Sequence, residues 1–333
     1  MTVIDIHAHV ADPDGMATMA RLYDNIPVID RNDDHMFFRY PSGVVNGPVP
    51  LGMVSVDRRL ADMAASGVTH QVLSARPQVF PYDLPGDLGG QLARLLNESM
   101  VNVAATDPDA FSVMISLPVQ AVETSLAEIT RWAPNRLVRG VMIDSNIAGR
   151  NHADPEFDPI WRALEQANLP VLVHPYQADV VGKERLKDHY LFNLIGNPAD
   201  TTIAIGNVVF GGLLQKFPAL RWCFVHGGGV APFLAGRWDH GWSQRAVTRQ
   251  NIPDQLPSEL LGQLWFDCLV HRPAALGFLA DLVGWERIMV GTDYPFDMGM
   301  TDPVGFINSI SMTAGQREAV LFGNAERYLR PRV

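Results

Sequence analysis

The sequence predicts an α/β fold of the (β/α)8 TIM-barrel type, with one domain over residues 1–333 and a small insertion after the first strand. Short runs of Val, Ile and Leu recur along the chain, and their continuous apolar character is typical of parallel strands covered on both faces. Helix-like stretches separate these runs about eight times, as in a TIM barrel. An open doubly wound sheet is the alternative, but it places its ligand at one switch point. Here polar residues follow many strands, which favours the barrel.

The predicted strands are Val3–Val10, Gln71–Ala75, Phe111–Leu117, Gly140–Asp144, Pro170–His174, Trp222–His226, Trp265–Leu269 and Ile288–Thr292. The clearest amphipathic helices between them are Ser125–Trp132, Pro159–Ala167, Ala274–Val283 and Thr313–Leu329.

Two segments are longer than ordinary connections between a strand and a helix. Residues 11–56 are rich in Gly, Pro and Asp, and we interpret them as an insertion over the barrel mouth with short strands of its own. Residues 176–200 form a second long loop, which is a candidate lid. No internal repeat or linker marks a second domain.

The amino-acid composition limits the kinds of molecule that this protein is expected to bind. Hydrophobic residues make up 47% of the chain and charged residues 19%, so a large core is available. The formal net charge of -10, with no long run of Lys or Arg, argues against nucleic acid and anionic membranes as partners. Two cysteines in apolar runs, no signal-like N-terminus and no apolar run of roughly 18 residues predict a cytoplasmic protein without membrane spans.

Histidines follow the first predicted strand in an HxH pattern. His7 and His9 are two residues apart, so their side chains point to the same side of the strand. Both imidazoles can therefore face the C-terminal mouth of the barrel, where TIM-barrel active sites lie. An HxH pair alone is weak evidence, because a surface or core pair of histidines has the same pattern.

Three further residues strengthen the prediction of a site. His174, His226 and Asp293 each come at the end of a predicted strand. Imidazoles with one carboxylate suit Zn2+, and Mn2+ or Co2+ also fit this set. An open coordination position would hold water and lower its pKa towards about 7. One histidine must stay off the metal to move protons, and a histidine away from the HxH pair can do so.

Several motifs carry a resemblance to a known family. They are Asp5-Ile6-His7-Ala8-His9, Val173-His174-Pro175, Phe224-Val225-His226-Gly227-Gly228-Gly229, Gly236-Arg237 and Gly291-Thr292-Asp293-Tyr294-Pro295-Phe296. With them the sequence resembles the amidohydrolase superfamily, and within it the branch of 2-amino-3-carboxymuconate-6-semialdehyde decarboxylase. The likeness is close from about residue 165 to the end and thin across residues 11–60.

The resemblance implies a role for each residue of the constellation. His7, His9, His174 and Asp293 would bind one zinc ion, and His226 would act as general base and acid. The implied reaction is nonoxidative loss of CO2 from an unsaturated or aromatic carboxylic acid, without flavin, PLP or nicotinamide. Two alternatives remain open: a metal-dependent hydrolase (ester, lactone or C–C bond) or hydratase of the same superfamily, and a catalytically silent metal-binding barrel.

Substrate contacts are the less specific part of the resemblance. Arg237 matches a residue that reaches into a neighbouring subunit and binds a substrate carboxylate, which implies a homodimer or larger assembly. Tyr176 stands where the branch has Trp, and Phe296 flanks Asp293, so both are predicted to shape the pocket. The branch's second substrate arginine falls near Pro50 here, and Arg39, Arg58 and Arg59 lie nearby without a clean match. Of these, Arg39 is the predicted substrate contact.

Overall fold

Eight short strands form one parallel sheet in the computed structural model, and every residue of these strands is buried. Burial on both faces explains the continuous apolar runs in the sequence. The structure describes residues 2–21, 26–32, 35–40, 43, 45–80, 82–176 and 180–331. Parts of the predicted insertion (22–25, 33–34, 41–42 and 44) and of the predicted lid (177–179) lie outside the described residues.

The elements alternate along the chain as predicted. The strands are β1 (Ile4–Val10), β2 (Val28–Asn32), β3 (His35–Arg39), β4 (Val45–Val49), β5 (His70–Ala75), β6 (Phe111–Ser116), β7 (Val138–Asp144), β8 (Val171–His174), β9 (Trp222–Phe224), β10 (Trp265–Asp267) and β11 (Ile288–Met289). The helices are α1 (Pro13–Ala20), α2 (Val56–Ser66), α3 (Gly86–Ala104), α4 (Val122–Trp132), α5 (Asp158–Gln166), α6 (Asn197–Phe210), α7 (Leu213–Lys216), α8 (Ala231–Gln244), α9 (Pro257–Leu261), α10 (Pro273–Val283), α11 (Pro303–Asn308), α12 (Ala314–Glu318) and α13 (Asn324–Tyr328).

The parallel sheet is closed into a barrel. Its strand order is β1-β5-β6-β7-β8-β9-β10-β11. Three backbone hydrogen bonds join the first strand to the segment that directly follows the last strand: Ile6 N to Val290 O at 2.9 Å, Asp293 N to His7 O at 2.8 Å and His9 N to Tyr294 O at 2.7 Å. The predicted (β/α)8 barrel is therefore confirmed, and the open doubly wound alternative is excluded.

The first strand changes the direction of its side chains part of the way along. Near its start, Ile4 and Ile6 belong to a core cluster that takes residues from all eight barrel strands, which places them inside the barrel. The register with β5 then shifts between Asp5 and Ala8. A bulge of this kind re-aims the residues beyond it. Because of it, the odd-numbered His7 and His9 face the mouth of the barrel, although the even-numbered Ile4 and Ile6 of the same strand lie in its interior.

The insertion after β1 has secondary structure of its own. It contains α1 and an antiparallel three-stranded sheet in the order β2-β3-β4. Phe38, Val49 and Met53 from this segment are buried in the larger core cluster, which binds the insertion to the barrel. The sequence-based expectation of short strands in the insertion is confirmed.

The second long segment is held to the barrel by a buried carboxylate. Asp200, near the start of α6, accepts hydrogen bonds from Val181 N at 3.1 Å and from the Ser145 hydroxyl. Short 3-10 and π turns at Lys183–Arg185 and Phe192–Gly196 lead into α6.

The C-terminal helix of the prediction is interrupted. The predicted helix Thr313–Leu329 is α12, a π turn at Ala319–Gly323 and α13. Cys223 and Cys268 are both buried and unbridged. No helix within the described ranges is long and apolar enough to cross a membrane.

Candidate metal centre and active site

Four imidazoles surround one carboxylate at the C-terminal mouth of the barrel. Asp293 Oδ1 lies 3.2 Å from His7 Nε2, 3.0 Å from His9 Nε2 and 3.7 Å from His174 Nε2. Its other oxygen, Oδ2, lies 3.6 Å from His226 Nε2. The structure therefore brings all five residues of the sequence-based constellation into one cluster.

Four atoms at the centre of this cluster are buried without a hydrogen-bond partner, apart from Nδ1 of His226: they are Nε2 of His7, His9 and His174, and Oδ1 of Asp293. Leaving one buried polar atom unpaired costs roughly 1–3 kcal/mol. Here the unpaired atoms converge, and a nitrogen lone pair with a carboxylate oxygen is the donor set that divalent first-row metals prefer. These residues fit a metal ion.

The opposite nitrogen of each ring is held in a way that supports this fit. His7 Nδ1 is 2.8 Å from Asp267 Oδ2, His9 Nδ1 is 3.0 Å from Ala75 O, and His174 Nδ1 is 2.8 Å from Pro175 O. Each acceptor keeps the ring proton on Nδ1, so the Nε2 lone pair points into the cluster.

His226 differs from the other three histidines. Its Nδ1 is buried but has no hydrogen-bond partner, and its side chain is 18% exposed. A second possible ligand set, made of His7, His174, His226 and Asp293, has its donor atoms within 4.8 Å of one another. The fixed Nδ1 of His9 favours His9 as a ligand, and the unfixed ring of His226 suits it to proton exchange.

Protonation at the site follows burial and the neighbouring charges. Burial lowers the pKa of His174 to about 3 and lowers that of His9, so both rings are neutral near pH 7. Burial alone would raise the pKa of Asp293, but the adjacent imidazoles hold it well below its ordinary value. Burial lowers the pKa of His7, but Asp293 and Asp267 outweigh this and raise it to about 10. A metal that binds His7 must therefore displace a proton, which favours metal binding as pH rises.

Asp267 is a site residue that the sequence analysis missed. It ends β10 and is fully buried. Its Oδ2 accepts from His7 Nδ1, and its Oδ1 accepts from Gly227 N at 2.9 Å, in the turn that carries His226. One carboxylate thus orients a candidate ligand and the turn of the candidate proton carrier. In the sequence, Asp267 lies within the predicted strand Trp265–Leu269 and not at its end, so the rule that identified His174 did not single it out.

Replacement of Asp267 by asparagine should weaken metal binding without unfolding the barrel. Loss of a carboxylate that orients a ligating histidine typically costs about 10–100-fold in metal affinity. Chelator competition on Asp267→Asn would measure this, with Asp281→Asn on the exposed side of α10 as the control. Equal metal affinity in the two variants would mean that Asp267 does not orient His7.

A buried arginine, Arg59, contacts the backbone of β1 at His9. Arg59 Nη1 donates to Gln71 Oε1 at 2.9 Å, and Nη2 donates to the backbone oxygen of His9. Its guanidinium lies 4.8 Å from the centre of the Tyr294 ring, next to Asp293 in sequence. Arg59 therefore stabilises the backbone around the candidate metal ligands from outside the cavity.

The cluster opens into a cavity of about 850 Å³. The insertion supplies part of its wall, and the second long segment supplies another part. The lining residues are Phe38, Tyr40, Gly47, Pro48, Val49, Pro50, Met53, Arg76, Pro77, Gln78, His174, Pro175, Tyr176, Tyr190, Phe192, Asn193, Asn197, His226, Asp293, Phe296, Asp297 and Met298.

The predicted substrate contacts have different positions relative to this cavity. Tyr176 and Phe296 line it, and the Phe296 ring is 5.2 Å from that of His9. Arg39 does not line it: its side chain is exposed and pairs with Asp30. Side chains alternate along a strand, and its neighbours Phe38 and Tyr40 face the cavity. The prediction that Arg39 contacts substrate is therefore corrected.

Arg237 is exposed on α8 and lies outside the cavity of its own chain. Its contact with a neighbouring subunit stays a prediction.

The fold and this cluster define the chain as a (β/α)8-barrel enzyme with a candidate metal centre at the mouth of the barrel. The chain belongs to the amidohydrolase family, whose model matches residues 4–330. This confirms the resemblance noted in the sequence.

Several relatives of the chain are named decarboxylases, and one is named a 2-keto-4-carboxy-3-hexenedioate hydratase. The chain is 37% identical over 274 residues to the 2-amino-3-carboxymuconate-6-semialdehyde decarboxylase of Dictyostelium discoideum, covering 82% of this chain and 76% of that protein. The apo form of IDCase from Metarhizium anisopliae superposes with a TM-score of 0.85 at 23% identity, covering 98% and 96% of the two chains. A 5-carboxyvanillate decarboxylase from Novosphingobium aromaticivorans with bound manganese gives 0.82 at 20% identity, covering 98% and 97%.

Proposed function

We propose that this protein is a metal-dependent, nonoxidative decarboxylase of an unsaturated or aromatic carboxylic acid. The observation that carries the proposal is the contrast between the histidines: three have Nδ1 fixed and Nε2 unpaired beside Asp293, and His226 has a free Nδ1. One cluster thus offers both a ligand set and a separate proton carrier. The similarity to a decarboxylase supports this reading.

His7, His9, His174 and Asp293 would hold the cation, with Zn2+ as the proposed metal and Mn2+ or Co2+ as alternatives. When bound, such an ion supplies Lewis-acid polarisation of a substrate oxygen and an activated water. Manganese in a structural relative is compatible with the alternatives. Metal analysis of the purified protein decides among the three ions.

His226 would supply the proton that the reaction needs. In decarboxylation, the bond between the substrate carbon and its carboxylate breaks, CO2 leaves, and a proton takes its place on that carbon. His226 is partly exposed to the cavity, so it can deliver this proton and recover another from solvent. Electrons are neither gained nor lost overall, so the step needs no oxidant.

The walls of the cavity also favour loss of CO2. Phe38, Tyr40, Phe192 and Phe296 give it several aromatic faces. A carboxylate moved from water into such surroundings loses hydration, whereas neutral CO2 loses little. These rings can also pack on a planar unsaturated substrate.

Release of CO2 is the direct test. The zinc-loaded protein would be incubated with muconate-semialdehyde and hydroxybenzoate carboxylic acids, with Asp293→Ala as the control. CO2 release that requires the metal and does not occur with the control variant supports the proposal. Products from lactones, esters or ring-cleavage compounds without CO2 would favour the hydrolase or hydratase, and a fully metallated protein inactive on all of them would favour the silent barrel.

The working unit is proposed to be a homodimer in which Arg237 enters the neighbouring cavity. Arg237 is exposed on α8, and Phe233 on the same helix is 79% exposed. Its ring is 6.4 Å from that of Phe278, which is 51% exposed. Exposed aromatic pairs are typical of surfaces that a partner covers, and a second copy of this chain would cover this one.

Subunit mixing tests this arrangement. Asp293→Ala and Arg237→Ala should each be inactive alone, but their purified heterodimer should recover about half of the wild-type activity, since one of two symmetric sites is then intact. The heterodimer of Asp293→Ala with wild type is the control. An inactive mixed heterodimer would show that Arg237 does not serve the neighbouring site.

A further inference from the structure

The carboxylate of Asp5 joins the first barrel strand to the loop after the last strand. Asp5 lies in β1 and is fully buried. Its Oδ1 accepts hydrogen bonds from His7 N at 3.1 Å and from Thr292 N at 3.0 Å. Its Oδ2 accepts from the Thr292 hydroxyl at 2.6 Å and from Gln71 Nε2 at 3.1 Å. One side chain therefore contacts the backbone of His7 and of the residue that precedes Asp293.

The bulge in β1 explains why a side chain is needed at this point. The register with β5 shifts between Asp5 and Ala8, and His7 lies inside this irregular stretch. A bulge disrupts the ladder of hydrogen bonds locally. The Asp5 carboxylate reaches along its own strand to His7 N, two residues further on. This contact fixes the backbone at the place where the side chains of β1 change direction.

A buried arginine determines which groups donate around Asp5. The guanidinium of Arg59 can only donate, and its Nη1 donates to Gln71 Oε1 at 2.9 Å. The amide of Gln71 must then turn its Nε2 group towards Asp5. All three side chains are buried, and the positive and negative charges lie on either side of the amide. Asp5 is thereby fixed as a hydrogen-bond acceptor.

The contacts return to Arg59 on the far side of Asp293. Thr292 Oγ1 accepts from Tyr294 N at 3.2 Å, and the guanidinium of Arg59 lies 4.8 Å from the centre of the Tyr294 ring. Because Thr292 and Tyr294 flank Asp293, this carboxylate is held on both sides along the chain. We call this closed set of contacts the Asp5 network, and its members are Arg59, Gln71, Asp5, Thr292 and Tyr294.

The Asp5 network also contacts both candidate ligands of β1. It contacts His7 through Asp5, and it contacts the backbone oxygen of His9 through Arg59. Its five members, all within the described ranges, lie outside the lining of the cavity. Contact with a substrate therefore does not account for these buried polar groups, whereas their contacts with the backbone around the metal cluster do.

We propose that Asp5 is a positioning residue for the metal centre. It would set the separation between the candidate ligands of β1 and Asp293, and thereby the geometry in which a cation is held. Asp5 would act through His7 N and Thr292 without touching the metal or the substrate. The inference rests on the proposed function, because it takes His7, His9 and Asp293 as ligands.

Replacement of Asp5 by asparagine tests the proposal, because it keeps the shape and turns one acceptor into a donor. The new amide would face either the backbone N–H of His7 and Thr292 or the Nε2 of Gln71. Gln71 cannot turn over, since its own N–H groups would then face Arg59. Metal affinity in Asp5→Asn should fall by about 10–100-fold, as measured by chelator competition. The visible spectrum of the Co2+-loaded protein should also change, because its d–d bands depend on ligand geometry.

A second substitution should reverse this loss. In Asp5→Asn combined with Gln71→Glu, the carboxylate at position 71 accepts from both Arg59 and the new amide, and the net charge of the pair is restored. We expect most of the metal affinity and the wild-type Co2+ spectrum to return. A double variant that binds metal no more tightly than Asp5→Asn would overturn the proposal.

Glu128→Gln is the matched control for loss of a buried carboxylate. Glu128 lies between α3 and α4 and accepts hydrogen bonds from Asn97 Nδ2 and Trp132 Nε1. This variant should unfold at a lower urea concentration and keep the metal affinity and Co2+ spectrum of the wild type. Wild-type affinity or an unchanged spectrum in Asp5→Asn would contradict the positioning role. If Asp5→Asn does not fold, Thr292→Val removes only the hydroxyl contact, and wild-type affinity and spectrum there would contradict it equally.

Metal affinity is measured without turnover, so the two proposals can fail separately. Affinity that depends on Asp5, together with no CO2 from any carboxylic acid, would overturn the proposed reaction and leave the positioning role standing. CO2 release by the wild type, together with a metal affinity that Asp5→Asn does not change, would do the reverse.

Discussion

Asp293→Ala is expected to leave the protein without tightly bound metal and without activity. Among the described residues, Asp293 is the single carboxylate paired with the Nε2 atoms of His7, His9 and His174, at 3.0–3.7 Å. Without it, three neutral imidazoles would face an uncompensated divalent charge. The loss should exceed the roughly 10–100-fold in metal affinity that removal of an outer hydrogen-bond partner costs.

Metal content after dialysis and CO2 release would be measured together. Asp297→Ala is the control for metal content, because Asp297 lines the same cavity four residues later and is not part of the cluster. Full metal content in Asp293→Ala would refute the ligand assignment.

His226→Asn is expected to keep its metal and lose turnover by about 10²–10⁴-fold, the usual contribution of a general acid or base. Asparagine cannot carry a proton at neutral pH, but it tolerates the left-handed backbone that His226 adopts at φ 56. The backbone of the following glycines should therefore be preserved.

His9→Asn is the informative partner, because the two possible ligand sets differ in His9 and His226. Loss of metal from His9→Asn and its retention in His226→Asn support the assignment made here. The opposite pattern would exchange the two roles. Unchanged turnover in His226→Asn would show that His226 does not transfer the proton.

The sequence predicted much of the barrel because burial on both faces makes its strands readable as apolar runs. Even β11, which has only two residues in the ladder, was recognised from the run that ends at Thr292. The candidate ligands were found for the same reason, since each polar residue stands out where an apolar run ends. Asp267 was missed because apolar residues follow it as well as precede it, so it did not mark the end of an apolar run.

Other features depend on tertiary structure and could not be predicted from the sequence. The bulge that turns His7 and His9 towards the mouth exists only through pairing with β5. The face of β3 that meets the cavity is set by how the insertion docks, so the sequence alone could not show that Arg39 points away from the cavity. His226 Nδ1 and Arg76 Nη1 are buried without a hydrogen-bond partner, and this can be seen only in the three-dimensional structure.

The meeting of the first and last barrel strands has a consequence for biosynthesis. His7 and His9 leave the ribosome long before Asp293, because the other seven barrel strands are translated between them. A cation that is bound by His7, His9 and Asp293 together cannot be captured until Ile6 has paired with Val290 and the barrel has closed. Binding to the folded state alone would then add about 4 kcal/mol at a free metal concentration a thousand times Kd. Bound metal would thus stabilise the pairing of the first strand with the segment after the last strand. Removal of the metal with a chelator should first raise the rate of amide hydrogen exchange at Ile6 and Asp293.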